Sequence, residues 1–78
     1  MSILLNVLRK ANDNIVYAVN NPVIFYPLYK WCEMNSVMVS TYGVDDYHVA
    51  TRFKLTSGEC IKFVLDDESH QFYSVELI

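Results

Sequence analysis

The sequence predicts an α+β domain, with N-terminal helices packed on one face of a four-stranded antiparallel β-meander. Three observations carry that expectation. Val49, Thr51, Phe53 and Leu55 alternate with polar or small residues, and Ile61, Phe63 and Leu65 resume the alternation after Thr56-Ser57-Gly58. Period-two patterning on both sides of a glycine-bearing break marks a hairpin with one buried face. Over residues 1–35 the apolar spacing is helical instead. Finally, 78 residues that are 53% hydrophobic and 14% aromatic suffice for one small core, with apolar surface left over. No repeat, low-complexity tract or linker divides the chain, so residues 1–78 read as one domain, helical over 1–35 and sheet over 36–78.

The first helix is expected over Ser2 to Val19, capped by Ser2. Leu4, Leu8, Ala11, Ile15 and Val19 line one face, with Leu5 and Ala18 beside them; Asn6, Lys10, Asp13 and Tyr17 lie opposite. Asn12-Asp13-Asn14 are poor helix formers, so the second reading breaks the helix there and makes Ile15 to Val19 a short strand. Asn20-Asn21-Pro22 ends this element. Pro27 disfavours a helix interior, which assigns Val23 to Tyr26 to a bend or single turn. The regular second helix is then Pro27 to Met34, closed by Asn35-Ser36.

Four strands follow, Val37 to Tyr42, Tyr47 to Leu55, Glu59 to Leu65 and Gln71 to Leu77. Gly43 to Asp46, Thr56 to Gly58 and Asp66 to His70 connect them. A three-residue loop with Gly58 in the left-handed position pairs Phe53 with Ile61, Thr51 with Phe63 and Val49 with Leu65. A two-residue loop sets Phe53 against Lys62 and mixes the faces, so the longer loop is preferred. The same logic brings Phe63 near Tyr73 and Ile61 near Val75. Odd-numbered side chains from Val49 onward then meet the helices. The opposite face carries Met38, Ser40, Tyr42, His48, Ala50, Arg52, Lys54, Cys60, Lys62, Val64, Phe72, Ser74 and Glu76.

Composition and motifs exclude more than they select. The net charge is −3, and residues 34–78 hold Asp45, Asp46, Glu59, Asp66, Asp67, Glu68 and Glu76 against Arg52, Lys54 and Lys62. An acidic sheet half argues against strong nonspecific nucleic-acid binding. Cys32 and Cys60 show no metal or redox spacing. Arg9 and Lys10 interrupt the N-terminal apolar stretch, no small-residue cleavage site follows, and no apolar run has membrane-spanning length. These features predict a cytoplasmic protein with reduced thiols. There is no G-x-S-x-G, phosphate loop or HExxH, and both glycines, Gly43 and Gly58, serve turns. No enzyme and no cofactor is expected. Asp45, Asp46 and His48 with Asp66, Asp67 and His70 invite a metal, but aspartates in turns ordinarily bond local backbone, so no metal is assigned.

What remains is binding. Val23 to Trp31 is apolar or aromatic on nearly every side, more than one helix face can bury. Phe25, Tyr26, Tyr29 and Trp31, with Tyr42 and Phe72 from the outward sheet face, are the candidate partner-binding residues, of types enriched at interface centres. Arg52, Lys54 and Lys62 form a candidate basic patch. Asp45, Asp46, Asp66, Asp67 and Glu68 form candidate acidic loops. The expectation is a small non-enzymatic protein–protein interaction module that forms a homo-oligomer. An inhibitor or adaptor acting on a host enzyme, of the kind phages and mobile elements carry, fits a domain of this size. The alternatives are an acidic mimic occupying a partner's nucleic-acid site, or a weak nucleic-acid binder using the basic patch.

Overall fold

Four strands of the meander half form along the stretches where the alternation places them, and one short strand joins from the N-terminal side. The computed structural model describes residues 15–18 and 25–78. In chain order these form β1 (Ile15–Tyr17), α1 (Phe25–Asn35), β2 (Ser36–Gly43), β3 (His48–Leu55), β4 (Cys60–Asp66) and β5 (Phe72–Leu77). The strands make one antiparallel sheet in the order β1-β5-β4-β3-β2. The α+β class and the four-stranded meander stand, and among the described residues the N-terminal part contributes a single helix. One helix is described, and β1 adds a fifth strand beside β5.

That strand corrects the helix expected through Val19. Most of the span Ser2 to Val19 lies outside the described residues, but Ile15–Tyr17 is extended, paired through Ile15 with Glu76 and Tyr17 with Ser74. Asn12-Asp13-Asn14 immediately precede it, and adjacent β-branched Ile15 and Val16 favour extended backbone. Of the second reading, the short strand is found at Ile15–Tyr17, while the break at Asn12-Asp13-Asn14 and Val19 lie outside the described residues.

Helix α1 begins two residues before Pro27, so the bend expected through Tyr26 is replaced by helix at Phe25 and Tyr26. Pro27 is then in the first turn, where its missing N–H costs nothing. Phe25, Leu28 and Cys32 recur at helical spacing and are buried. The helix ends where Asn35 Nδ2 donates to the Trp31 carbonyl at 2.7 Å. The Asn35 carbonyl in turn accepts from Thr56 N–H at 3.1 Å, tying the helix end to the β3–β4 turn.

The central hairpin has the expected register: Val49 opposite Leu65, Thr51 opposite Phe63 and Phe53 opposite Ile61. Gly58 adopts the left-handed φ of 94° that this loop needs. Phe53, Leu55, Ile61, Phe63 and Val75 are buried against α1. Tyr29 centres the aromatic part of this core, with ring centroids 5.2 Å from Phe53, 5.1 Å from Phe63 and 5.4 Å from Phe72. Such tilted and edge-to-face pairs stabilise beyond their buried area.

Strand β5 departs from the expected register. Phe63 lies opposite Val75 and Ile61 opposite Leu77, not Tyr73 and Val75, and the register shifts between Val64 and Leu65. Val64 faces Ser74 whereas Leu65 faces Phe72, so Tyr73 is the extra residue of a β-bulge. The bulge lets Phe72 and Val75, three positions apart, both turn toward the helix. A regular period-two strand cannot do this.

Candidate functional site

Of the side chains proposed for partner contact, one is core and three pack against it. Phe25 has no exposed surface, and its ring lies 5.8 Å from that of Phe72 and 6.5 Å from that of Phe63. Phe72 is only half-exposed and packs on the core through the bulge, which corrects its assignment to the outward face. Tyr73 takes that outward place, half-exposed, 5.7 Å from Tyr17 and 4.8 Å from His48. Tyr29 and Trp31 are half-buried and packed against the core. Tyr26 and Tyr42 remain exposed, the former under the Lys30 ammonium at 5.5 Å.

Among the described residues the longest continuous exposure falls on an element from which the sequence singles out only Tyr42 for partner contact. Strand β2 reads Ser-Val-Met-Val-Ser-Thr-Tyr-Gly and is exposed from Val37 to Gly43 on both faces. Val39 pairs with Phe53 on the helix side yet is 54% exposed, because α1 does not reach over the sheet edge; Met38 on the other side is 62% exposed. Proteins usually blunt an edge of this length with charges, prolines or brevity. β2 has eight residues, no charge and no proline, whereas the opposite edge, β1, has three residues. The signal was present in the sequence: the first strand of a meander lies at an edge, and Val37 to Gly43 holds no guarding residue.

The backbone of that edge faces outward in a defined pattern. Val44 N–H donates to the His48 carbonyl at 3.0 Å, and Leu55 N–H to that of Glu59 at 2.8 Å. Because antiparallel bonds alternate, even-numbered residues of β3 bond β2 and odd-numbered ones bond β4. The N–H and C=O groups of Val39, Thr41 and Gly43 therefore point away from β3, toward the side on which no described strand pairs with β2.

On the face opposite the helix, a half-open depression of about 290 Å³ borders this edge, lined by Met38, Ser40, Arg52, Lys54 and Cys60. The candidate basic patch is here, and its three cations are not equivalent. Lys62 lies opposite Glu76 and pairs with it at 3.5 Å. Among the described residues Arg52 and Lys54 carry no ion pair. The two cysteines also differ: burial in the core pushes the Cys32 thiol up to about 12, which makes it unreactive, while Cys60 is partly exposed in the depression. Further along the same face, Ala50, Val64 and Ser74 are cross-strand neighbours and are buried, so the middle of this face is not solvated as expected.

The acidic loops converge at the far end of the sheet. Asp67 N–H donates to the Tyr47 carbonyl at 2.8 Å and joins the two loops. Asp45 accepts from Tyr47 N–H at 2.8 Å and lies 3.0 Å from His48 Nδ1; Asp66 accepts from the N–H groups of Glu68 and Ser69. These are turn-capping bonds. Those from Tyr47 and Ser69 are the main reason the Asp45 and Asp66 carboxyls are held below their ordinary range. Asp46, Asp67 and Glu68 are exposed. Among the described residues no group of three His, Cys, Asp or Glu side chains is placed to hold a metal ion, and no helix is long and apolar enough to cross a membrane. Comparison with protein-family models, curated proteins and solved structures gives no match to this chain.

Proposed function

We propose that this chain is a non-enzymatic protein–protein interaction module, an inhibitor or adaptor that engages its partner through the β2 edge. The observation that carries this reading is the eight-residue uncharged edge strand, exposed on both faces. Its outward amides and carbonyls offer main-chain hydrogen bonds to an added strand, and Val37, Met38 and Val39 offer apolar contact beside them. The described part of the Val23 to Trp31 segment, first choice on sequence grounds, contributes less: Phe25 and Leu28 are buried, and Tyr29 and Trp31 pack on the core. The test is affinity capture from the native host with the wild-type chain and a Thr41→Pro variant. Thr41 N–H makes no internal ladder bond, so proline there leaves the fold intact and removes a donor from the edge. Wild-type should retain a defined protein that Thr41→Pro loses, with unchanged circular dichroism. Identical capture by both chains overturns the reading.

The acidic-mimic reading keeps one observation in its favour, the convergence of Asp45, Asp46, Asp66, Asp67 and Glu68 on one end of the sheet. It requires binding that collapses with salt and on neutralising those acids. Edge pairing requires neither.

A further inference from the structure

Taking β2 as the docking edge, we infer that its occupant is an extended segment of a partner protein carrying an acidic side chain. That side chain would sit over the depression and meet Arg52 and Lys54. Two independent features support this. The edge supplies the main-chain register, and the cations supply the chemistry.

Geometry links them. A strand added to β2 hydrogen-bonds through Val39, Thr41 and Gly43, whose side chains lie on the helix side of the sheet. Residues of the added strand on the opposite face then lie beside Met38 and Ser40. From there Arg52 and Lys54, the β3 partners of Ser40 and Met38, are two strand spacings away, roughly 10 Å between backbones. An extended arginine and a glutamate close that span from both ends. Ser40 is short and leaves the path open, and the depression provides room for the carboxylate. The third cation, Lys62, already has Glu76, so the charge awaiting a partner is concentrated at Arg52 and Lys54. A second copy of the chain fits less well. Pairing β2 with itself places Met38, Ser40 and Tyr42 beside those cations and supplies no acid. Nucleic acid fits less well again, since the chain is net acidic and an edge of outward amides and carbonyls selects a peptide backbone.

The probe is a blocked seven-residue peptide in which valines alternate with threonines around a central Glu, compared with the same peptide bearing Gln or Lys. Binding is read by amide chemical shifts of the full chain. The Glu peptide should shift the amides of Val39, Thr41 and Gly43, bind about ten-fold more tightly than the Gln peptide, and lose that advantage at high salt. In an Arg52→Glu/Lys54→Glu chain the preference should reverse to the Lys peptide. Thr41→Pro should abolish binding of all three. Equal binding of the Glu and Gln peptides by the wild-type chain overturns the acidic occupant while leaving the docking edge standing. Glu-peptide binding that survives Thr41→Pro overturns the edge itself. Failure of all three peptides at millimolar concentration overturns the inference. So does self-association that Thr41→Pro abolishes and the charge swap leaves unchanged, or displacement of the Glu peptide by a single-stranded oligonucleotide.

Discussion

Two residues in left-handed backbone make opposite predictions. Gly58 has φ 94° and His70 φ 60°, a region that costs an L-residue side chain about 1–2 kcal/mol. A Cβ at Gly58 meets nothing within 4 Å, so Gly58→Ala should destabilise by about 1 kcal/mol through backbone conformation alone. His70→Gly should stabilise by about 0.5–1 kcal/mol, the released strain less glycine's entropy in the unfolded chain. Denaturant midpoints of both variants check this; a His70→Gly midpoint below wild type would show that the imidazole contributes more than its backbone costs. Gly58 was assignable in advance because the register on either side of it demands a left-handed residue. His70 was not, because histidine carries no turn signal and Asp66, which caps the loop through the N–H groups of Glu68 and Ser69, does the work a glycine would have announced.

Helix α1 divides into tyrosines that look alike in sequence and differ in place. Tyr29 contacts Phe53, Phe63 and Phe72, whereas Tyr26 is 57% exposed. Tyr29→Ala should therefore cost about 2–4 kcal/mol, a large share of the stability of so small a domain. Tyr26→Ala should stay within about 0.5 kcal/mol. Urea unfolding of the two variants distinguishes them, and comparable losses would mean the helix docks by a different face. The strands β3 and β4 were legible because strict alternation leaves one register that keeps both apolar sets inside. β5 was legible only in part: Phe72 and Val75 are both apolar at odd spacing, and a bulge resolves that conflict in three dimensions without leaving a turn residue as a marker. The edge exposure of β2 was missed for a different reason. Alternation reports which face a residue takes, not how far across the sheet a single helix reaches.

Taken across the sheet, five acids gather in the paired loops at one end, and two of them fix how stability responds to acid. Asp45 and Asp66 each accept hydrogen bonds from turn N–H groups, and both carboxyls are held below their ordinary range, chiefly by the bonds from Tyr47 and Ser69 respectively. A carboxyl lowered on folding binds fewer protons in the native state than in the unfolded one. Its stabilising effect is thus present above the unfolded value, about 4 for aspartate, and is lost as pH falls through the folded value. These two groups should leave stability flat from neutral pH down to about 5 and erode it below about 4. Asp45→Asn/Asp66→Asn keeps an oxygen acceptor in each turn but removes the titration. The double variant should unfold more easily than wild type at pH 7 and show a shallower decline in acid. Thermal midpoints of both chains across the acid limb provide the measurement, and parallel declines would place the acid sensitivity elsewhere in the acidic half. Because the loops meet through the Asp67–Tyr47 bond, the two substitutions should not be additive: opening one turn loosens the other, so the double variant should lose less than the sum of the singles.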